Sequence, residues 1–285
     1  MPGLKLHPML ATAYQPKYVE QCWRDWVLEE KLDGHRVFIR VGKRVTAYKR
    51  PRRGQMPVAE LPDHLRTHLS WLRPGLYDGE LLAGDTATDV KRKDLQHEAR
   101  VVLFDVLERN GTLLIGQSLA ARRQYLEEAY TRSWTPVVRL IDQATVRTEA
   151  DMKALATRII KRGGEGLMLK HRVSTYEPGE RTRTWLKYKR FKTAALRVVG
   201  FEESRGEKVN RGRYAVVLLR DARGKTTSVK TLDNEQLRRF EERARSVSGH
   251  AQHPDIGRML RIEFPRWTRD GGYQGPVMWD RWEDE

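Results

Sequence analysis

A chain of 285 residues with 54 Lys and Arg against 38 Asp and Glu carries a formal charge of +16, so a polyanion, nucleic acid above all, is the expected partner. Hydrophobic residues at 39% suffice for folded cores and exclude disorder throughout, and with no long uncharged apolar run or amphipathic N-terminal anchor no membrane partner is expected. The single cysteine, Cys22, excludes an internal disulfide framework and any multi-cysteine zinc site, and makes a reducing cytosol, or the cytosol of a host cell, the expected compartment.

The opening MPGLKLHPMLATAYQPKY lacks the compact apolar core of a secretory signal. EEKLDGHRVFIR, Glu29 to Arg40, is strand-like around an Asp-Gly turn signal. Taken alone, Lys31 there fits a plain hairpin with an edge lysine as well as it fits a functional group. VFIRVGKRVTAY reads as a hairpin split at Gly42-Lys43. LPDHLRTHLSWL has the helical spacing of Leu61, Leu65, Leu69 and Leu72. It sets His64 and His68 one turn apart with no further ligand, which reads as a solvated helix face and not a metal site.

GLYDGELL and RVVLFDVLE read as short buried strands, and LAARRQYLEEAY and EADMKALATRIIKRG as helices, the second closed by Gly163-Gly164. EGLMLK is a further strand, followed by a polar loop, HRVSTYEPGERTRT, and a basic stretch, WLKYKRFKTAALRVVGF. Then LRVVGFEES, RYAVVLLRD, KTTSVKTL and MLRIEFPRW read as strands, with one helical run, DNEQLRRFEERARS, among them. Short strands plus one helix point to a small barrel. Roughly 150 residues per domain favours two domains, and the change of character puts their boundary near Arg190, giving 1–190 and 191–285.

Lys31, Asp33, Gly34 and Arg36 fill a Lys-x-Asp-Gly-x-Arg pattern, and further pieces follow it in order: YDGEL with Glu80, VLFDVL with Phe104 and Asp105, EGLMLK with Glu165, and WLKYK with Lys187 and Lys189. From HPMLA to Lys192 the chain resembles the covalent nucleotidyltransferases, most closely the ATP-dependent DNA ligases of minimal size. The resemblance implies an α+β fold: an adenylation domain with antiparallel sheets, then a small OB-fold β-barrel domain. It implies ATP and Mg²⁺ or Mn²⁺ as cofactors, nicked double-stranded DNA as partner, a monomer, and a role in DNA repair or replication.

The same resemblance implies roles. Lys31 is the nucleophile that takes AMP. Glu29 reads the adenine edge, Phe104 and Met168 pack on the base, Lys170 contacts phosphate, and Lys187 and Lys189 hold the α-phosphate. Glu80 sits near ribose and metal, Glu165 at the metal, and Arg50 stands for an arginine that follows the hairpin. Physical chemistry runs alongside. A lysine attacks only when neutral, yet its free pKa is about 10.4. Neighbouring cations, among them Arg36, Lys187 and Lys189, depress it and neutralise the triphosphate. Carboxylate oxygens such as those of Glu80 and Glu165 are the hard ligands Mg²⁺ prefers. Each residue also has a plainer reading: core for Phe104 and Met168, solvated strand ends for Glu80 and Glu165, a charged linker for Lys187 to Lys192.

In the second domain, EESRGEKVNRGRY carries Arg205, Lys208, Arg211 and Arg213, expected to touch DNA backbone phosphates. The family's closing segment orients the leaving pyrophosphate with an Arg and an Asp-Lys pair. Here GPVMWDRWEDE offers Arg281 and Asp284 but ends on Glu285, so Arg281, Arg266 or Arg269 takes that contact. Lys31 stands too near the start for a preceding DNA-binding domain or a nicotinamide-binding region, so the two core domains are expected to grip DNA alone. Two other classes stay open: an RNA ligase or mRNA-capping guanylyltransferase with the same lysine chemistry, and a non-catalytic basic OB-type binding protein.

Overall fold

The computed structural model describes residues 7–19, 22–50, 57–130, 135–189, 191–202, 216–229, 253–265, 267–268, 270–275 and 277–283. Two compact units divide the chain, Met1–Lys189 and Arg190–Glu285. The first unit runs β1 (Leu10–Ala13), β2 (Trp26–Glu30), β3 (His35–Val41), β4 (Val45–Lys49), β5 (Val58–Ala59), α1 (Asp63–Leu69), β6 (Gly75–Leu82), β7 (Arg100–Arg109), β8 (Thr112–Leu113), α2 (Leu119–Glu127), β9 (Val138–Leu140), β10 (Gln143–Ala144), α3 (Glu149–Lys161), β11 (Gly166–His171) and β12 (Arg181–Lys189). These strands make two mainly antiparallel sheets. One has the order β1-β12-β11-β2-β10, and the other β5-β4-β3-β6-β7-β8 with β9 added on β7.

Each sheet buries one face under helices. Leu65 and Leu69 of α1 and Leu126 of α2 join Val37, Ile39, Val101 and Leu103 in one core, while Met152, Ala156 and Ile159 of α3 cover Leu28, Leu167, Leu169 and Leu186 in another. The i, i+4, i+7 spacing of the α3 residues is the helical period that made this element readable. Thr148 caps it through a reciprocal box with Asp151, and the Gly163 and Gly164 amides close its end on the Ile160 and Ile159 carbonyls. A third cluster, Met9, Phe38, Leu76, Leu107, Tyr176 and Trp185, draws residues from both sheets. It lies beneath the cleft described below.

Two local expectations are corrected. The segment around Lys31 is no hairpin: β2 pairs with β10 and β11, whereas β3 pairs with β4 and β6. Lys31 to Gly34 is therefore the crossover from one sheet to the other. Gly34 is needed for close approach, since a Cβ there would stand 2.4 Å from the Leu81 carbonyl oxygen. The second correction concerns the polar loop after β11, whose last residues, from Arg181, begin β12. Arg181 and Arg183 are exposed while Thr182 is buried, a period-two pattern in which β-branched threonines suit a strand paired in parallel with β1.

In the second unit β13 (Lys192–Glu202), β14 (Val216–Arg220), β15 (Thr226–Val229), β16 (Met259–Phe264) and β17 (Met278–Trp282) form one antiparallel sheet in the order β15-β14-β13-β16-β17. Alternate residues Leu196 and Val198, Val217 and Leu219, and Leu260, Ile262 and Phe264 fill its core. β17 escaped sequence reading because the adjacent charges Asp280 and Arg281 break its alternation, and its pairing with β16 slips between Arg261 and Ile262. The helical run 233–246 lies outside the described residues. Among those described, no helix is long and apolar enough to cross a membrane.

Candidate active site

Lys31 directly follows the last residue of β2, and its backbone N–H donates to the Gly166 carbonyl at 2.9 Å. The side chain is thereby held at the start of β11. Its ammonium pairs with the Glu165 carboxylate, whose other oxygen takes the ammonium of Lys189. Lys187 and Lys189 stand two residues apart on β12, hence on one face, and Lys187 is opposite Met168 in register. Burial, then the cations Arg181, Lys189 and Lys31, draw the Lys187 ammonium below its ordinary pKa. Lys31, Lys187 and Lys189 around the one carboxylate of Glu165 leave this cluster net positive, suited to a polyphosphate.

A cleft of about 260 Å³ opens beside these groups, and its walls include Glu29, Lys31, Arg36, Arg50, Glu80, Phe104, Met168, Lys170 and Lys187. Residues from β2, β3, β6, β7, β11 and β12 thus share one cavity although up to 158 positions separate them in sequence. Glu165 and Lys189 adjoin it through Lys31. Arg50 lines the cleft as an exposed residue.

Glu29 and Lys170 are buried, and their charges meet at 2.6 Å. Gln143 of β10 donates to the other Glu29 oxygen at 2.9 Å. The Lys170 ammonium lies 4.4 Å from the Phe104 ring centre and 4.2 Å from that of Trp185, favourable cation–π distances. Lys170 thus pairs with Glu29 between two rings, while Lys31 and Lys189 share Glu165. Among the described residues the Trp185 Nε1 is buried without a hydrogen-bond acceptor. Such a donor beside a cleft fits a ligand that brings a lone pair.

Arg36 is clamped by Asp78, with Nε to Oδ1 at 2.9 Å and Nη2 to Oδ2 at 2.5 Å. It also donates to the Met9 carbonyl at 2.7 Å and to the Tyr176 hydroxyl at 3.1 Å. Burial works against its charge, but Asp78 more than offsets this and holds the guanidinium above its ordinary range. Arg36 stacks 5.3 Å from the Phe104 centre, so it serves as a charged platform under that ring more than as a free cation. Beside it, burial pushes the Glu80 carboxyl up to about 7 against the pull of Arg36 and Lys31.

Sequence reading missed Asp78, Tyr176, Trp185, Gln143 and Arg181. Asp78 was findable: it stands two residues before Glu80 on one strand, on the same face. Trp185 lies inside the WLKYK segment already singled out. Tyr176 and Gln143 gave no local signal, because their partners are distant in sequence. Arg205, Lys208, Arg211 and Arg213 lie outside the described residues, as do Arg266, Arg269, Asp284 and Glu285. Arg281 is exposed on β17 opposite Arg261 in the second unit. His64 and His68 bind the backbone carbonyls of Ala99 and His64, and among the described residues no cluster of three or more His, Cys, Asp or Glu is suited to a metal.

The family model described as the ATP dependent DNA ligase domain matches residues 8–189. A DNA ligase of Thermococcus fumicolans is 30% identical over 233 residues, covering 73% of this chain and 40% of the relative. DNA ligase 2 of Haloquadratum walsbyi is 31% identical over 229 residues, covering 73% and 36%. The chain spans about two fifths of the length of these curated relatives. Among solved structures, one from a structure–function study of Lig E DNA ligases, "DNA binding with a minimal scaffold", superposes with a TM-score of 0.71 at 22% identity, covering 96% of this chain and 99% of that one. The mycobacterial DNA ligase D complexed with ATP and MES gives 0.53 at 22% identity, covering 98% and 95%. These likenesses establish a mixed α+β fold with antiparallel sheets.

Proposed function

The chain belongs to the ATP-dependent DNA ligase family, and from that premise we propose that it seals nicks in duplex DNA through a covalent lysyl-AMP on Lys31. One observation carries the reading: Lys31, Glu165 and Lys189 form a paired cluster beside a cleft that also holds Lys187, Phe104 and Met168. ATP fits that cleft chemically. Phe104 and Met168 supply apolar surface for the base, and the lysine cluster supplies charge for the phosphates.

In the first step Lys31 gives up a proton to solvent to become the neutral nucleophile, and Glu165, bonded to its nitrogen, holds it in place. The nitrogen then attacks the α-phosphorus: the N–P bond forms, the bond to the bridging oxygen breaks, and pyrophosphate leaves. Lys187 and Lys189 hold the charge that develops on the α-phosphate. AMP next passes to the 5′-phosphate at the nick, and the 3′-hydroxyl displaces it to close the phosphodiester. Arg281 is our candidate for the leaving pyrophosphate, and Arg205, Lys208, Arg211 and Arg213 for the DNA backbone.

Glu80 and Glu165 fit a divalent cation, Mg²⁺ or Mn²⁺. A Glu80 carboxyl raised to about 7 by burial lacks a sufficient counter-charge, and the remaining ligands would be water and phosphate oxygens. When bound, such an ion neutralises triphosphate charge. Glu29 and Lys170 then face the base edge, and Arg36 braces Phe104.

We assign 1–190 as the adenylation domain and 191–285 as an OB-fold domain; five antiparallel strands around one apolar core support the latter. A monomer working in a reducing cytosol completes the reading. The test is ligation of a nicked duplex with labelled 5′-phosphate by the protein and its Lys31→Ala variant. Sealing by the unaltered protein alone, dependent on ATP, is expected. No sealing of DNA, or sealing only of RNA strands, contradicts the proposal.

A further inference from the structure

We propose that Tyr176, in the segment between β11 and β12, is a positioning residue for nucleotide binding: its hydroxyl sets Arg36, and through Arg36 the Phe104 ring, in the cleft. This rests on the ligase reading above and names a contributor outside the segments that carried it.

The hydroxyl is a junction. It donates to Asp78 Oδ2 at 2.7 Å and accepts from Arg36 Nη2 and from the Met9 backbone N–H, each at 3.1 Å. Asp78, Met9 and Tyr176 are almost wholly buried, so none of these bonds has water as a ready substitute. Arg36 spends Nε, both Nη2 hydrogens and one Nη1 hydrogen on Asp78, Tyr176 and Met9, which leaves one N–H over. Its orientation is therefore dictated by the junction and not by a ligand.

The junction also links pieces that line the cleft. Met9 precedes Leu10 and Ala11, both in the cleft wall. The Tyr176 ring meets Trp185 edge-on at 5.8 Å, and Trp185 lies under Lys170. The segment itself is anchored on the other sheet's side, Tyr176 N–H donating to the Ile115 carbonyl at 2.8 Å. Below it a second buried clamp, Arg122 on Asp105, repeats the arrangement beside Phe104, with Arg122 5.8 Å from the Tyr176 ring. Asp78 and Asp105 are cross-strand partners, so Tyr176 lies against both clamps. Lys31, Glu165, Lys187 and Lys189 lie outside this network, which separates nucleotide affinity from the chemical step.

The test is Tyr176→Phe, which keeps the ring and removes the junction. With labelled ATP the concentration for half-maximal labelling of Lys31 should rise about tenfold, as expected for a hydrogen bond to a charged group, while the rate at saturation stays within about twofold. Equilibrium ATP binding in a Lys31→Ala background then closes a cycle: Tyr176→Phe and Arg36→Lys each weaken binding, and together no more than the worse of the two. Should Tyr176→Phe fail to fold by circular dichroism, Asp78→Asn, which removes the Arg36 clamp while keeping its shape, must show the same split. Unchanged ATP dependence, a loss in saturating rate alone, or losses that multiply in the double variant would overturn the proposal. Absence of label on the unaltered protein would instead strike the ligase reading beneath it.

Discussion

Lys170 and Glu29 give the sharpest test at the scale of single residues. Each is buried and each holds the other's charge, so removing one partner strands the other. Lys170→Met should destabilise the protein by about 3–5 kcal/mol, read from urea unfolding, and adding Glu29→Gln should restore most of that loss. A single variant as stable as the parent would show the pair to be unimportant. Glu165 is the second case, since it binds both Lys31 and Lys189. Glu165→Gln keeps the shape but loses the charge that holds Lys31 and Lys189 and a metal ligand; labelling of Lys31 should fall about 100-fold or more, with folding intact. Which residues gather at the cleft was largely readable from ordered motifs. How they pair was not: the Lys170–Glu29 and Arg36–Asp78 contacts are set by sheet register and burial, which single-sequence patterns do not encode.

Among the elements, α3 and β11 make opposite predictions. The Thr148 capping box closes on Asp151 within the first turn of α3, so Thr148→Ala should cost about 1 kcal/mol and leave ATP labelling unchanged. Gly166 begins β11 at a φ of +147°, where a Cβ would meet the Tyr188 carbonyl oxygen at 2.1 Å, and its own carbonyl holds the Lys31 amide. Gly166→Ala should therefore lower both stability and labelling. Loss of stability with full labelling would mean that this bond does not position Lys31. Helices and buried strands were legible because their apolar period is strong. The crossover at Lys31 was not, because Asp-Gly reads the same in a hairpin turn as in a passage between sheets. The start of β12 was hidden by its charge, since arginines on an exposed strand face look like loop.

For the whole molecule, the charge of +16 predicts that affinity for nicked duplex falls steeply and linearly on a log–log plot against salt, measured by fluorescence anisotropy. ATP labelling of Lys31, confined to one cleft, should fall far less over the same range. A flat salt response would count against backbone phosphate contacts as the main grip on DNA. The most direct test of the central claim is incubation of the purified protein and its Lys31→Ala variant with Mg²⁺ and α-labelled ATP or GTP, followed by a denaturing gel and intact mass. Label from ATP on the unaltered protein alone, with a mass gain of one AMP, is the predicted result. Label from GTP in its place, or none from either on a folded protein whose mass shows no AMP already attached, would contradict it.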